Sequence, residues 1–172
     1  MDLYDYHTEP RSLYQYENMH DPIEQQKYDA FWENINEYQR KGKGLYVIAS
    51  SPDTSYQYAR YTDKPFPEGE RVLASNEYWA YAYAKDIIKG KWEEGEAVIA
   101  KDPHVALEYA KYIIKGRFPK GEDAIAKTPM TAREYAIDVL EDRFPEGEAI
   151  MKKYPASWGK YTRILKAKGI EI

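Results

Sequence analysis

Apolar residues recur in this chain with two nested periods, a helical one inside each segment and a longer one of about 26 residues between segments. In residues 76–101 they fall at Trp79, Ala80, Tyr83, Ala84, Ile87 and Ile88, and in residues 102–127 at Val105, Ala106, Tyr109, Ala110, Ile113 and Ile114. Offsets of i, i+1, i+4, i+5, i+8 and i+9 place all six on one broad helical stripe. Ala132, Tyr135, Ala136, Val139 and Leu140 draw the stripe a third time. The pattern predicts a buried-faced helix of roughly 12 to 14 residues near the start of each segment.

Helix punctuation recurs in step. Ser51-Pro52, Asp102-Pro103 and Thr128-Pro129 each pair a polar N-cap with a proline at the first helical position, where a missing N–H costs nothing. Asn76 keeps the cap without the proline, and Tyr154-Pro155 keeps the proline without the cap. Gly90 and Gly116 are placed to end the long helices as C′ glycines, an aromatic follows at Trp92, Phe118 and Phe144, and Pro119 or Pro145 stops the helix from continuing. A second, short helix is predicted to open at Gly95-Glu96, Gly121-Glu122 and Gly147-Glu148, with Val98 and Ile99 or Ala124 and Ile125 as its apolar contacts. Helices this short are marginal alone in water, so stacking on a neighbouring unit has to hold them.

Residues 76–101 and 102–127 align without a gap and match at 13 of 26 positions. The same frame gives units of about 51–75, 76–101, 102–127 and 128–153 and a partial unit 154–172, with the first unit one residue short between Tyr58 and Phe66. The expected fold is all-α, a right- or left-handed α-solenoid of helix–turn–helix repeats over residues 43–172. Ahead of it, Asp21-Pro22 opens an amphipathic helix with Tyr28, Phe31, Trp32, Ile35 and Tyr38 on one face and Gly42 at its end, read as an N-terminal capping helix over residues 21–42. Residues 1–20 carry no periodicity and read as an irregular N-terminal arm.

The core of the repeat is tyrosine-alanine, then Ile113-Ile114-Lys115-Gly116-Arg117-Phe118-Pro119-x-Gly121-Glu122, then Ala124-Ile125-Ala126-Lys127 and a proline. Over about residues 51–165 it resembles a short tandem helical repeat found in uncharacterised bacteriophage and large-virus proteins. The resemblance implies an α-solenoid and a phage or viral accessory protein, and it carries no catalytic residue.

Composition narrows the chemistry. There is no cysteine, which removes disulfides, thiol nucleophiles and Cys-based zinc sites. His7, His20 and His104 lie far apart without ligand spacing, and no Gly-rich phosphate loop or Ser-His-Asp set is present, so no catalytic, metal or cofactor site is expected. A formal net charge of −4 argues against a protein devoted to neutralising phosphates. No run approaches the ~18 apolar residues of a membrane span, and the N-terminus lacks the basic start and apolar stretch of a signal peptide. Residence in the cytoplasm, of the host if phage-encoded, is the expectation. Tyrosine outnumbers phenylalanine 18 to 4, which fits a thin structure whose aromatics each keep one wet end.

Four recurring series could carry function. The repeated tyrosines Tyr58, Tyr83, Tyr109, Tyr135 and Tyr161 could stack bases, but their place inside the apolar stripe favours core packing with hydroxyls bonded at the rim. Glu70, Glu96, Glu122 and Glu148 could hold a metal, but their place in the first helical turn favours stabilising free N–H groups and the helix dipole. A basic series, Lys101, Arg117, Lys127, Arg143 and Lys153, with Lys91 and also Arg60, Lys85 and Lys111, could track the backbone of a single-stranded nucleic acid, against the reading of a solvated, ion-paired face. The positions that vary between units, Tyr78, Tyr81 and Asp86, then His104, Leu107 and Tyr112, then Met130, Arg133 and Asp138, are read as exposed. Tyr78, Tyr81, His104, Leu107, Tyr112, Met130 and Arg133 are the candidates for binding a protein partner, since solenoids carry partner preference in such positions. The expected function is a non-enzymatic binding module for a host or viral protein, with nucleic-acid binding or sequestration of a small ligand such as a nucleotide as alternatives.

Overall fold

The computed structural model describes residues 21–41 and 44–172, so the irregular arm over 1–20 and the helix end at Gly42 lie outside the described residues. The described residues form helices and turns with no strand, which is the all-α class expected. The chain divides into two compact units, one reaching Val72 and one spanning Leu73–Ile172.

In the first unit α1 (Pro22–Arg40) is followed by α2 (Gly44–Ile48), α3 (Pro52–Thr62) and α4 (Pro67–Leu73), whose last residue belongs to the second unit. Edge-on aromatic contacts join α1 to α3: Tyr28 and Phe31 meet Tyr61 at ring separations of 5.1 and 5.0 Å, and Trp32 meets Tyr58 at 6.1 Å. Trp32, Ile35 and Ile48 are buried, so the predicted apolar face of α1 is its packed face. Ser51 occupies the N-cap of α3 without a side-chain cap bond, unlike Asn76, Asp102 and Thr128 at their helices.

The second unit alternates long and short helices: α5 (Glu77–Tyr83), α6 (Glu93–Ile99), α7 (Pro103–Glu108), α8 (Pro119–Gly121 as a 3₁₀ turn running into Glu122–Ile125), α9 (Pro129–Glu134), α10 (Pro145–Lys152) and α11 (Pro155–Ala167). Each long helix packs on the short helix after it and on the next long helix, α5 on α7, α7 on α9, α9 on α11, while α6, α8 and α10 touch in sequence. The buried positions repeat in register. Tyr83, Tyr109, Tyr135 and Tyr161 are wholly buried, as are Leu73, Ile99, Ile125 and Met151, with Trp92, Phe118 and Phe144 between them. The Ile87-Ile88 and Ile113-Ile114 pairs and Val139-Leu140, expected in the buried stripe, are only half-buried.

That displacement follows from a feature the periodicity does not contain. α5, α7 and α9 each pass into a π-helical turn, Ala84–Ile88, Tyr109–Ile114 and Tyr135–Leu140, which widens the helix and turns the last apolar pair away from the core. The π turn also accounts for the length of the first segment. α3 ends without one: Asp63 takes a left-handed conformation and Lys64 donates to the Ala59 carbonyl at 3.2 Å. In the later helices the left-handed residue comes one position later after the tyrosine, and Gly90 and Gly116 donate six residues back, to Ala84 and Ala110 at 3.1 Å. The extra residue of the longer segments lies in the π turn.

At two kinds of helix boundary the structure differs from the sequence expectation. Gly90 and Gly116 are not the left-handed C′ residues; Lys89, Lys115 and Glu141 are, with φ of 55°, 56° and 53°. A glycine is favoured where φ is positive, but here the residue just before the glycine takes that conformation, as Asp63 does before Lys64 in α3. Replacing Lys115 by glycine is therefore expected to raise stability by about 1 kcal/mol, read as a higher urea midpoint at unchanged slope, because an L side chain in this conformation carries a cost that glycine escapes. The short helices, in turn, open earlier than Gly-Glu. Pro67, Pro119 and Pro145 stand at their first position, and Glu93 does so in α6. The proline starts the second helix, and the Gly-Glu pair lies inside its first turn.

Candidate functional site

The repeated tyrosines and glutamates Tyr109, Tyr135, Tyr161, Glu96, Glu122 and Glu148 are engaged with one another. The backbone N–H groups of Trp92, Phe118 and Phe144, left outside the helices, donate to the hydroxyls of Tyr109, Tyr135 and Tyr161 at 2.9, 2.7 and 3.1 Å. Each hydroxyl donates onward to the glutamate of the earlier segment, Tyr109 to Glu96 at 3.5 Å, Tyr135 to Glu122 at 2.9 Å and Tyr161 to Glu148 at 3.1 Å. The glutamates are closed off by cations. Arg117 grips Glu122 with two bonds of 2.6 and 3.0 Å, Arg143 grips Glu148 at 2.8 and 2.9 Å, and Glu96 takes Lys120 at 2.6 Å with Lys91 at 3.6 Å.

The tyrosine hydroxyls thus lie inside the fold and not at its rim, each tying one segment to the next. The glutamates face that hydroxyl and its cation instead of the helix N–H groups. Arg143 beside Glu148, together with the Tyr161 hydrogen bond, holds that carboxyl below the ordinary carboxylate range. Arg117 and Arg143 of the proposed phosphate-tracking series are occupied in these forks, while Lys101, Lys127 and Lys153 stand exposed where the short helices end.

Burial raises the Tyr109 hydroxyl to about 12 and shifts Tyr135 and Tyr161 upward too. Unfolded tyrosines ionise near pH 10. Above that pH the unfolded chain releases protons that the folded chain retains, so stability falls as pH rises. The expected result is an alkaline unfolding transition in which these tyrosines ionise together with loss of helicity, followed by tyrosinate absorbance and circular dichroism on the same samples.

The varying positions separate into three environments. Tyr78, Tyr112 and Met130 are exposed, at 61, 50 and 43 %, and His104 is exposed as well. Tyr81 and Arg133 are half-buried between neighbouring long helices. Leu107, expected on the surface, is 3 % exposed and belongs to the core, because its register faces the adjoining helix where an apolar side chain is buried most completely. Asp86 and Asp138 are exposed.

α5, α7 and α9 bring the exposed members onto one succession of helices. Burial, with the Glu108 carboxylate and Tyr112 close by, raises the Tyr81 hydroxyl, which places α5 and α7 residues in one neighbourhood. The ammonium groups of Lys85 and Lys111 each lie 5.7 Å from a ring centre, of Tyr81 and Tyr112 respectively. Lys111 also reaches Asp138 on α9 at 2.7 Å.

Beyond that ion pair the long helices leave a cleft of about 360 Å³ lined by Lys111, Arg133, Glu134, Ile137, Asp138, Lys160 and Ile164. Lys160 and Ile164 come from the partial unit, so comparison of the full repeats does not point to them, whereas Ile137 stands at the register of Lys85 and Lys111. The detectable signal was Arg133, a cation in a register that carries Tyr81 and Leu107 elsewhere. Among the described residues no group of three or more histidines or carboxylates is arranged to hold a metal ion, and no helix is long and apolar enough to cross a membrane. No protein-family model matches the chain, and neither a curated protein nor a solved structure matches it significantly, so the functional reading rests on its own residues.

Proposed function

We propose that the unit Leu73–Ile172 is a short α-solenoid serving as a non-enzymatic protein-binding module, and that its partner docks on the long-helix face carrying Tyr78, Tyr81, His104, Tyr112, Met130 and Arg133. The supporting observation is the division of labour among its residues. The recurring tyrosine hydroxyls, the glutamates and Arg117 and Arg143 are engaged within the scaffold, while Tyr78, Tyr112 and Met130, which change from segment to segment, are large and exposed. Tyrosine, methionine and arginine are enriched at interfaces, and exposed apolar area on a rigid helical support binds with little ordering cost. The contacts of each helix with its immediate successors support the solenoid form. The repeat resemblance supports a phage or viral accessory role in the host cytoplasm.

Affinity capture of the tagged chain from host lysate tests this at two salt concentrations with a nuclease-treated parallel. A protein recovered at both salts supports the reading, and no protein at physiological salt contradicts it. Exposure of Lys101, Lys127 and Lys153 at one repeated register favours a second reading, a single-stranded nucleic acid tracked along the short-helix ends. Its signature is nucleic acid recovered only at low salt, with affinity falling steeply as salt rises.

A further inference from the structure

The cleft at the C-terminal end of the long helices has a composition that selects a ligand. Arg133 reaches it from α9, and its guanidinium is fixed from behind: Nη1 donates to the Ser157 hydroxyl at 3.2 Å, and that hydroxyl, on a buried residue, donates to the Pro129 carbonyl at 2.9 Å. The guanidinium also lies 3.7 Å from Glu134, beyond hydrogen-bond distance, and its side chain is 17 % exposed. A guanidinium carries five N–H donors in a planar fork suited to a carboxylate or phosphate. Arg133 lines the cleft with one donor anchored on Ser157 and its Nη2 ion-paired with Glu134, which leaves a positioned guanidinium with further donors for an oxyanion.

The remaining lining sets the size and charge of the occupant. Lys111 is neutralised by Asp138 at 2.7 Å. Glu134 offsets one of the remaining cations, so the lining carries a single positive charge overall, with Lys160 an exposed member of it. Ile137 and Ile164, both half-buried, supply an apolar floor. Lys111, Ile137 and Asp138 all sit on π turns, which aim them into the cleft instead of into the core. The volume falls in the ordinary range of small-ligand sites, which begins at about 300 Å³.

We propose that this cleft binds a small molecule carrying one phosphate or carboxylate on an apolar body, the oxyanion on Arg133 and Lys160 and the body on Ile137 and Ile164. The site shares Arg133 with the proposed docking face but is read with small probes, so a failed capture leaves it intact and its own failure leaves the capture by Tyr78, Tyr112 and Met130 intact. The test is a titration of the isotopically labelled full chain, followed by amide chemical shifts, with phenyl phosphate, benzoate, inorganic phosphate and the neutral benzyl alcohol as probes.

Saturable shifts concentrated at residues 133–138 and 160–164 are expected with phenyl phosphate or benzoate, and the tighter of the two identifies the headgroup. Inorganic phosphate is expected to bind more weakly and benzyl alcohol not to saturate. Arg133→Gln should weaken the better probe by about ten-fold or more, the usual loss when a charge-assisted bond is removed. Lys160→Gln, at an exposed position that cannot disturb the core, should weaken it less, and Arg71→Gln, at an exposed position outside the cleft, not at all. Absence of saturation by both anionic probes, equal binding of benzyl alcohol, or unchanged affinity in both Arg133→Gln and Lys160→Gln would overturn the proposal.

Discussion

Gly121→Ala is expected to lower stability by about 1–3 kcal/mol, the usual range for overpacking a filled core, whereas Gly116→Ala, five residues earlier, should change it by less than about 0.5 kcal/mol. A Cβ on Gly121 would stand 2.5 and 2.7 Å from two carbons of the Phe118 ring and 3.0 Å from the Ala106 methyl. Neither neighbour can give way, because the ring is buried and packed 5.1 Å from Tyr109, and the methyl belongs to the helix crossing above. Gly95 and Gly147 meet the same obstruction from Trp92 and Ala80 or Phe144 and Ala132. Gly116 has no atom within 4 Å of its would-be Cβ, and Asp142 fills the corresponding place in the next segment. Urea midpoints of the two variants, compared at equal slope, check the pair. Equal midpoints would mean that short and long helices do not approach as closely as described.

Tyr135→Phe is expected to cost about 1–3 kcal/mol, because it strands a buried N–H and removes nothing else of size. The Phe118 N–H loses its acceptor at 2.7 Å, and Glu122 loses a donor at 2.9 Å while keeping Arg117. The loss has a local signature. The Phe118 amide precedes α8 and has no helical partner of its own, so its slow hydrogen exchange depends on the tyrosine hydroxyl, and the variant should expose it while the Phe144 amide, held by Tyr161, stays protected. A second substitution, Glu122→Gln, closes a double-mutant cycle and separates the hydroxyl–carboxylate bond from the hydroxyl–amide bond.

Much of the helical architecture was legible because apolar spacing and proline placement are local signals. The stripe through Tyr83 and Ala84, the Asp102 and Thr128 caps and the short second helices all follow from residues within one turn of each other. The π turns were not legible, since a one-residue widening leaves the composition of the stripe unchanged. Their trace was the single missing residue between Tyr58 and Phe66, which reads as a shortened loop until the backbone bonds are seen. The left-handed residue was misplaced at Gly90 and Gly116 because a glycine at a helix end reads as the positive-φ position even where the lysine before it adopts that conformation.

The candidate face was partly legible. Variation between segments marks Tyr78, Tyr112 and Met130, which are exposed, but it cannot distinguish a surface position from one facing a neighbouring helix. Leu107 was misread for that reason. The cleft lay further out of reach, because Arg133 and Lys160 belong to different segments and only helix packing brings them to one place.

If the recurring residues hold the fold, binding falls to the varying exposed residues. The direct measurement is capture of protein partners at physiological salt by three forms of the chain: the natural sequence, the triple variant Tyr78→Ser, Tyr112→Ser, Met130→Ser, and the triple variant Lys101→Gln, Lys127→Gln, Lys153→Gln, each first shown to be helical with an unchanged urea midpoint. One protein is expected to be recovered with the natural sequence and the lysine variant and lost with the first variant. Recovery of that protein undiminished by the first variant, or its loss from the lysine variant alone, would contradict the claim.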